Sequence, residues 1–154
     1  MCYVEVRLLS ESEDISLDKL LDKLRLIDEE HAIGAVSMFI GLVKGDLGDT
    51  RVYKLEYSAI EELVLKKLEE IAREVCSKYS LKAIMIYHRL GGLNPGESTI
   101  YIVAAGVSRN NSNPAMIEAL ERVKREAPIF KLEKRSDGEY WVVGDGARFK
   151  RTSS

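Results

Sequence analysis

Apolar and polar positions along the chain switch between a period near two and a period near 3.6, and the switches mark the elements. Tyr3 to Leu9 is short, rich in β-forming residues and partly alternating, so it predicts a strand. Ser16 is placed to cap a helix running from Leu17 to about Glu30. Leu17, Leu20, Leu21, Leu24 and Ile27 form its stripe, and Lys19, Asp22, Lys23 and Glu29 take the other side. Gly34 to Val43 is an almost continuous apolar run, which predicts a buried strand. Lys44 to Asp49 is a polar, glycine-bearing loop, and Val52 to Tyr57 alternates as a strand. From Ile60 to Tyr79 a stripe of Ile60, Leu63, Val64, Leu68, Ile71, Val75 and Cys76 predicts the longest helix. Two strands follow, Lys82 to Leu90 and Ser98 to Val107, joined by a turn-rich link from Gly91 to Gly96. Ser108 to Asn113 reads as a polar loop, and Pro114 suits the first position of a helix reaching about Glu126. Pro128 ends that helix, and Ile129 to Glu133 and Tyr140 to Val143 predict two short strands around Ser136-Asp137-Gly138.

Helices thus alternate with strand pairs rather than with single strands. That pattern favours an α+β domain, with three helices on a mixed or largely antiparallel sheet, over a doubly wound nucleotide-binding fold. No GxGxxG follows a strand and there is no phosphate-binding P-loop motif. The expected organisation is one domain over residues 1–146 and a basic, polar, frayed tail over 147–154.

Composition narrows the function classes. With 23 Lys and Arg against 25 Asp and Glu, the net charge of −2 gives no general attraction to nucleic acid or anionic lipid. The sheet also lacks the aromatic-rich signature that base stacking needs, which disfavours RNA. No run is apolar enough to span a membrane, and the first residues do not read as a signal peptide, so the chain is expected in the cytoplasm. Cys76 lies on a helix stripe and reads as a small core hydrophobe, while Cys2 carries no signal. His31 and His88 are too few and too far apart for a metal site; His88, in an apolar strand, reads as a satisfied sheet histidine. Neither a metal nor a cofactor is expected.

Four cations stand out by position. Lys44 directly follows an apolar strand, Arg109 follows another, Lys124 is near the end of the third predicted helix, and Lys131 lies beyond the Pro128 break. Taken singly, each reads as a solvated surface charge. Gathered at one place they suit an anionic ligand such as a phosphate. Two close lysines lower each other's pKa, and a lowered lysine serves as acid or base near neutral pH.

The chain resembles the large, catalytic subunit of molybdopterin synthase. The stretches that carry the resemblance are Gly34-Ala35-Val36, Phe39 to Lys44, Leu55-Glu56-Tyr57, Ile86 to Gly91 with Gly96-Glu97, Lys124, Ala127 to Glu133, Gly138 and Trp141-Val142. Each is modest alone; in this order they are specific. The resemblance implies an α/β hammerhead-type fold and conversion of cyclic pyranopterin monophosphate to molybdopterin. Two sulfurs would come from a thiocarboxylate on the C-terminal Gly-Gly of a small ubiquitin-like sulfur-carrier subunit. It also implies a homodimer core with a small subunit at each end, a heterotetramer. Lys124 and Lys131 match the two family lysines, seven residues apart with the proline between. Lys131 is expected nearest the thiocarboxylate, Lys124 to assist as acid or base or by holding an intermediate, Glu133 to orient Lys131, and Arg109 to hold the pterin phosphate. Leu42, Val43, Lys44, Ser108 and Leu132 complete the implied substrate-binding set.

Departures from the family pattern bear on mechanism. Ser108 stands where the family has histidine, Lys44 where it usually has arginine, Phe130 where tryptophan is common, and Asp145 where a family arginine falls. Lysine keeps the charge at 44 but loses the bidentate fork. Arg148 is the candidate replacement for the arginine missing at 145. The two lysines are intact, so an enzyme is expected; a non-catalytic scaffold that keeps the partner-tail groove is the alternative.

Overall fold

The computed structural model describes residues 1–143 and 147–152. Its elements run β1 (Tyr3–Leu9), α1 (Leu17–Ile27), β2 (Ala35–Leu42), β3 (Val52–Ala59), α2 (Glu61–Lys78), β4 (Ala83–Arg89), β5 (Gly91–Leu93), β6 (Ser98–Gly106), α3 (Arg109–Glu126), β7 (Ile129–Arg135), β8 (Gly138–Val143) and β9 (Ala147–Lys150). The strands divide between two sheets rather than one. A four-stranded sheet has the order β1-β4-β6-β2, and a five-stranded sheet has the order β5-β3-β7-β8-β9. Among the described residues only the β1–β4 pair is parallel. The architecture is α+β, with three helices among the described residues.

Strand alternation sends the first sheet's side chains to two cores. Ile84, Ile86, Ile100, Ile102 and Ala104 face α2 and α3, where Val64, Leu68, Ile71, Ala119 and Val123 meet them. Met85, Tyr87, Tyr101 and Val103 face Leu20 and Leu24 of α1 on the other side. A smaller core of Val43, Val52, Leu55 and Leu93 lies beside the second sheet. Covered on both faces, β4 is buried along its whole length, and its first five residues read as a continuous apolar run before His88 and Arg89.

Four local expectations are corrected. α1 stops at Ile27 rather than near Glu30, because the Asp28 carboxylate accepts from the Ala32 and Ile33 N–H groups, at 2.8 and 2.9 Å, and turns the chain. The Ser108–Asn113 loop is instead the N-cap and first turns of α3. Ser108 Oγ accepts from Asn110 N, Asn111 Nδ2 donates to the Tyr79 carbonyl, and Ser37 Oγ bonds buried Ser112 Oγ at 2.9 Å. These partners from β2 and from beyond α2 satisfy the polar side chains that otherwise signal a loop, and Pro114 sits inside the helix. Within the Gly91–Gly96 link, Gly91–Leu93 is a short strand on β3. Gly91 takes a φ of +97°, which a side chain rarely adopts, and Leu93 is fully buried. The segment expected as a loose tail contributes β9, paired to β8.

Cys2 and Cys76 are joined as a disulfide, their Cα atoms 6.3 Å apart. Cys76 keeps its expected core position, and the bond ties the start of the chain to α2. No helix among the described residues is long and apolar enough to cross a membrane.

Candidate functional site

The two sheets and the C-terminal end of α3 enclose a cavity of about 590 Å³. The first sheet supplies Gly41, Leu42, His88, Thr99 and Ile100 from the ends of its strands. The second supplies one face. Tyr57 on β3, Lys131 on β7, Val142 on β8 and Arg148 on β9 stand in a single cross-strand row, and Leu55 and Glu133 stand in the next. Val123, Lys124 and Ala127 close the cavity from the helix side, and Lys44 lies where the chain leaves β2.

Pro128 brings the two lysines together. It disfavours helical backbone at Ala127, whose ψ of 126° is extended, so α3 ends and β7 begins within two residues. Lys124, in the last helical turn, and Lys131, third in the strand, then share one cavity. A cation in that last turn also complements the helix dipole.

The site's charges are unevenly paired. Glu133 is 3% exposed, and its two oxygens accept from Arg148 Nε at 2.8 Å and Nη2 at 3.2 Å. Arg135 Nη1 is 3.9 Å away. Lys131 has no such ion pair among the described residues. Its pKa is lowered, first by burial and then by the charges of Arg148 and Lys124, with Glu133 opposing. A lowered amine next to cations loses and regains a proton closer to neutrality than an exposed lysine. The Tyr57 hydroxyl is pushed up to about 12 by burial and stays protonated.

His88 is likewise held neutral. Burial pushes its pKa from 6.5 down to about 4, with the Lys131 charge acting in the same direction. The folded protein therefore binds this proton less readily than the unfolded chain does. Stability should fall as pH drops from 6.5 toward 4. The loss attributable to His88 is about 3 kcal/mol; it should be absent in His88→Gln and so appear as the difference between wild type and variant in urea titrations across that window.

Of the residues singled out in the sequence, Leu42, Lys44, Lys124, Lys131 and Glu133 line the cavity. Val43 and Leu132 do not; both are buried beneath it, 4% and 2% exposed. Ser108 and Arg109 are also elsewhere. Ser108 caps and Arg109 opens the far end of α3, sixteen and fifteen residues before Lys124, about 22–24 Å along the helix. Asp145 lies outside the described residues. Arg148, whose relation to the site was open, reaches it through β9. Tyr57 and His88 were visible only as parts of matched stretches, because the register that carries them to the wall is non-local. Among the described residues no group of three His, Cys, Asp or Glu side chains forms a metal site.

Comparison with known proteins gives the family. The family profile described as MoaE protein matches residues 10–126. The chain belongs to the MoaE family. The molybdopterin synthase catalytic subunit of Pyrococcus abyssi is 28% identical over 141 residues, covering 92% of this chain and 93% of that protein. The Bacillus subtilis protein of the same name is 34% identical over 114 residues, 74% of this chain and 73% of its own length. The crystal structure of molybdopterin synthase from Staphylococcus aureus superposes with a TM-score of 0.74 at 27% identity, covering 91% of this chain and 95% of that one. The MoaE match spans β2 to β6, all three helices and Lys124; β1 precedes it, and β7 to β9, with Lys131, Glu133 and Arg148, lie beyond it.

Proposed function

We propose that this chain is the catalytic subunit of a molybdopterin synthase. It transfers sulfur from the thiocarboxylated C-terminal Gly-Gly of a small ubiquitin-like carrier to cyclic pyranopterin monophosphate, in the cytoplasm. The observation that carries the reading is the pair Lys124 and Lys131 in one cavity, with Lys131 half-buried and lowered in pKa. In this reading Lys131 meets the thiocarboxylate and moves protons as sulfur leaves the tail. Lys124 holds the anionic intermediate, Lys44 attracts the phosphate, and Glu133 orients Lys131. Supplied with the thiocarboxylated carrier and the cyclic pterin, the purified chain should form the dithiolene pterin. Tail binding without dithiolene would identify a scaffold instead.

The reading also includes a homodimer, which accounts for the position of Arg109. β2 is an edge strand of eight residues with no charged side chain, and exposed Leu42 and Val107 flank its two ends. Long apolar edges of this kind are normally covered. Arg109 follows β6 beside the start of β2, and Lys44 follows the end of β2. A two-fold antiparallel contact of β2 with β2 of a second copy exchanges those ends, so each copy's Arg109 approaches the other's cavity. Mixing inactive Lys131→Ala with inactive Arg109→Ala should then restore roughly a quarter of the wild-type rate, since half the dimers carry one intact site. No recovery would mean that each chain uses its own arginine.

A further inference from the structure

Two groups in the cavity wall have no part in the reading above: Tyr57 and His88. The imidazole is 7% exposed and meets the Tyr57 ring edge-on, with centroids 5.0 Å apart at 78°. Tyr57 is the direct cross-strand neighbour of Lys131, which sets their Cβ atoms about 5 Å apart. The three side chains thus form one patch of wall where the two sheets meet.

Local bonding fixes the ring's tautomer. His88 Nδ1 lies 2.7 Å from the Arg89 carbonyl oxygen. A carbonyl only accepts, so Nδ1 carries the hydrogen and Nε2 of the neutral ring keeps its lone pair. The carbonyl itself is held in place, because the Arg89 guanidinium donates to the Ser98 and Ser10 carbonyls at 2.8 and 2.7 Å and to that of Glu13. Nε2 has no partner among the described residues. None of their fully buried side-chain polar atoms lacks a partner, so Nε2 opens onto the cavity.

We propose that His88 is a positioning residue for Lys131: its Nε2, unpartnered in this structure, is the acceptor that Lys131 Nζ reaches by a change of side-chain rotamer, and it aims that amine into the cavity. The inference rests on Lys131 being the amine the reaction uses. The other groups facing Lys131 do not fill this role. Arg148, Lys124 and Lys44 are cations, the protonated Tyr57 phenol is a weaker acceptor than an imidazole nitrogen, and Glu133 orients the amine by its charge, with both oxygens bonded to Arg148 and no ion pair to Lys131 among the described residues. Burial keeps the imidazole neutral, so the acceptor is available throughout the neutral pH range.

The test is the titration of the Lys131 amine, followed as its rate of acylation against pH and resolved to this residue by mass spectrometry. Wild type is compared with His88→Asn, whose shorter amide stays near the Arg89 carbonyl but withdraws the acceptor from the Nε2 position, and with His88→Gln, whose amide reaches that position. In His88→Asn the midpoint should fall by about one pH unit, the loss of a hydrogen bond to a charged group. His88→Gln should restore most of the shift. The acid limb of the sulfur-transfer profile should move by the same amount. An unmoved Lys131 midpoint in folded His88→Asn overturns the proposal, as does a fall of equal size in His88→Gln. Should His88→Asn not fold, His88→Phe is read by the same outcomes. The titration reads the amine and not turnover, so it stands or falls separately from the sulfur-transfer reading.

Discussion

Lys131→Ala should lower the rate of dithiolene formation at least about a hundredfold, the usual contribution of a positioned acid or base. The side chain lies on the interior face of β7 and is half-buried, so shortening it removes the amine while leaving the strand's backbone pairs with β3 and β8 in place. Folding should change little, because relief of a partly desolvated cation offsets the lost packing. Lys131→Arg separates charge from proton transfer. It keeps the positive charge, but guanidinium does not give up its proton at any working pH. The arginine variant should bind the carrier tail and still fail in turnover. Rates from burst and steady-state phases, with tail affinity measured separately, read both outcomes.

Glu133→Ala should show the second largest effect, in stability and pH dependence together. The carboxylate is 3% exposed and holds Arg148 with two hydrogen bonds. Removing it takes away the carboxylate that Arg148, Arg135 and Lys131 have in common, although Arg135 keeps its pair with Asp137. Breaking a buried pair from one side costs about 3–5 kcal/mol. Because the Arg148 side chain is 34% exposed, about 2–3 kcal/mol is expected here. The Lys131 pKa, which Glu133 holds up, should fall further. Any residual activity should therefore extend to lower pH than in wild type. Urea titrations and a pH–rate profile test the two parts, and unchanged stability would mean that the Arg148 contact contributes nothing.

Periodicity located most of the fold. The apolar stripes of α1 and α2 and the strand at β4 follow from local spacing, and each is present. What escaped depends on partners distant in sequence. The Asn-rich start of α3 is helical because Ser37 and the Tyr79 carbonyl satisfy its side chains, and β5 and β9 exist through pairing with β3 and β8. The division into two sheets is set by the same long-range pairing. The site divides along the same line. Lys124, Pro128 and Lys131 are close in the chain, so their convergence was legible. His88 and Arg148 reach the cavity only through sheet register, which local spacing does not show. Ser108 and Arg109 are separated from the lysines by the length of α3, whose polar, Asn-rich first turns carry no helical signal of their own.

The fate of the sulfur tests the central claim most directly. In a single turnover, a carrier bearing labelled sulfur in its C-terminal thiocarboxylate is mixed with the chain and cyclic pyranopterin monophosphate. The account predicts that the label leaves the carrier tail, which returns to a carboxylate, and appears in the dithiolene of the pterin, two sulfurs for each product, and that Lys131→Ala blocks both changes. Label retained on a bound tail with the wild-type chain would contradict it.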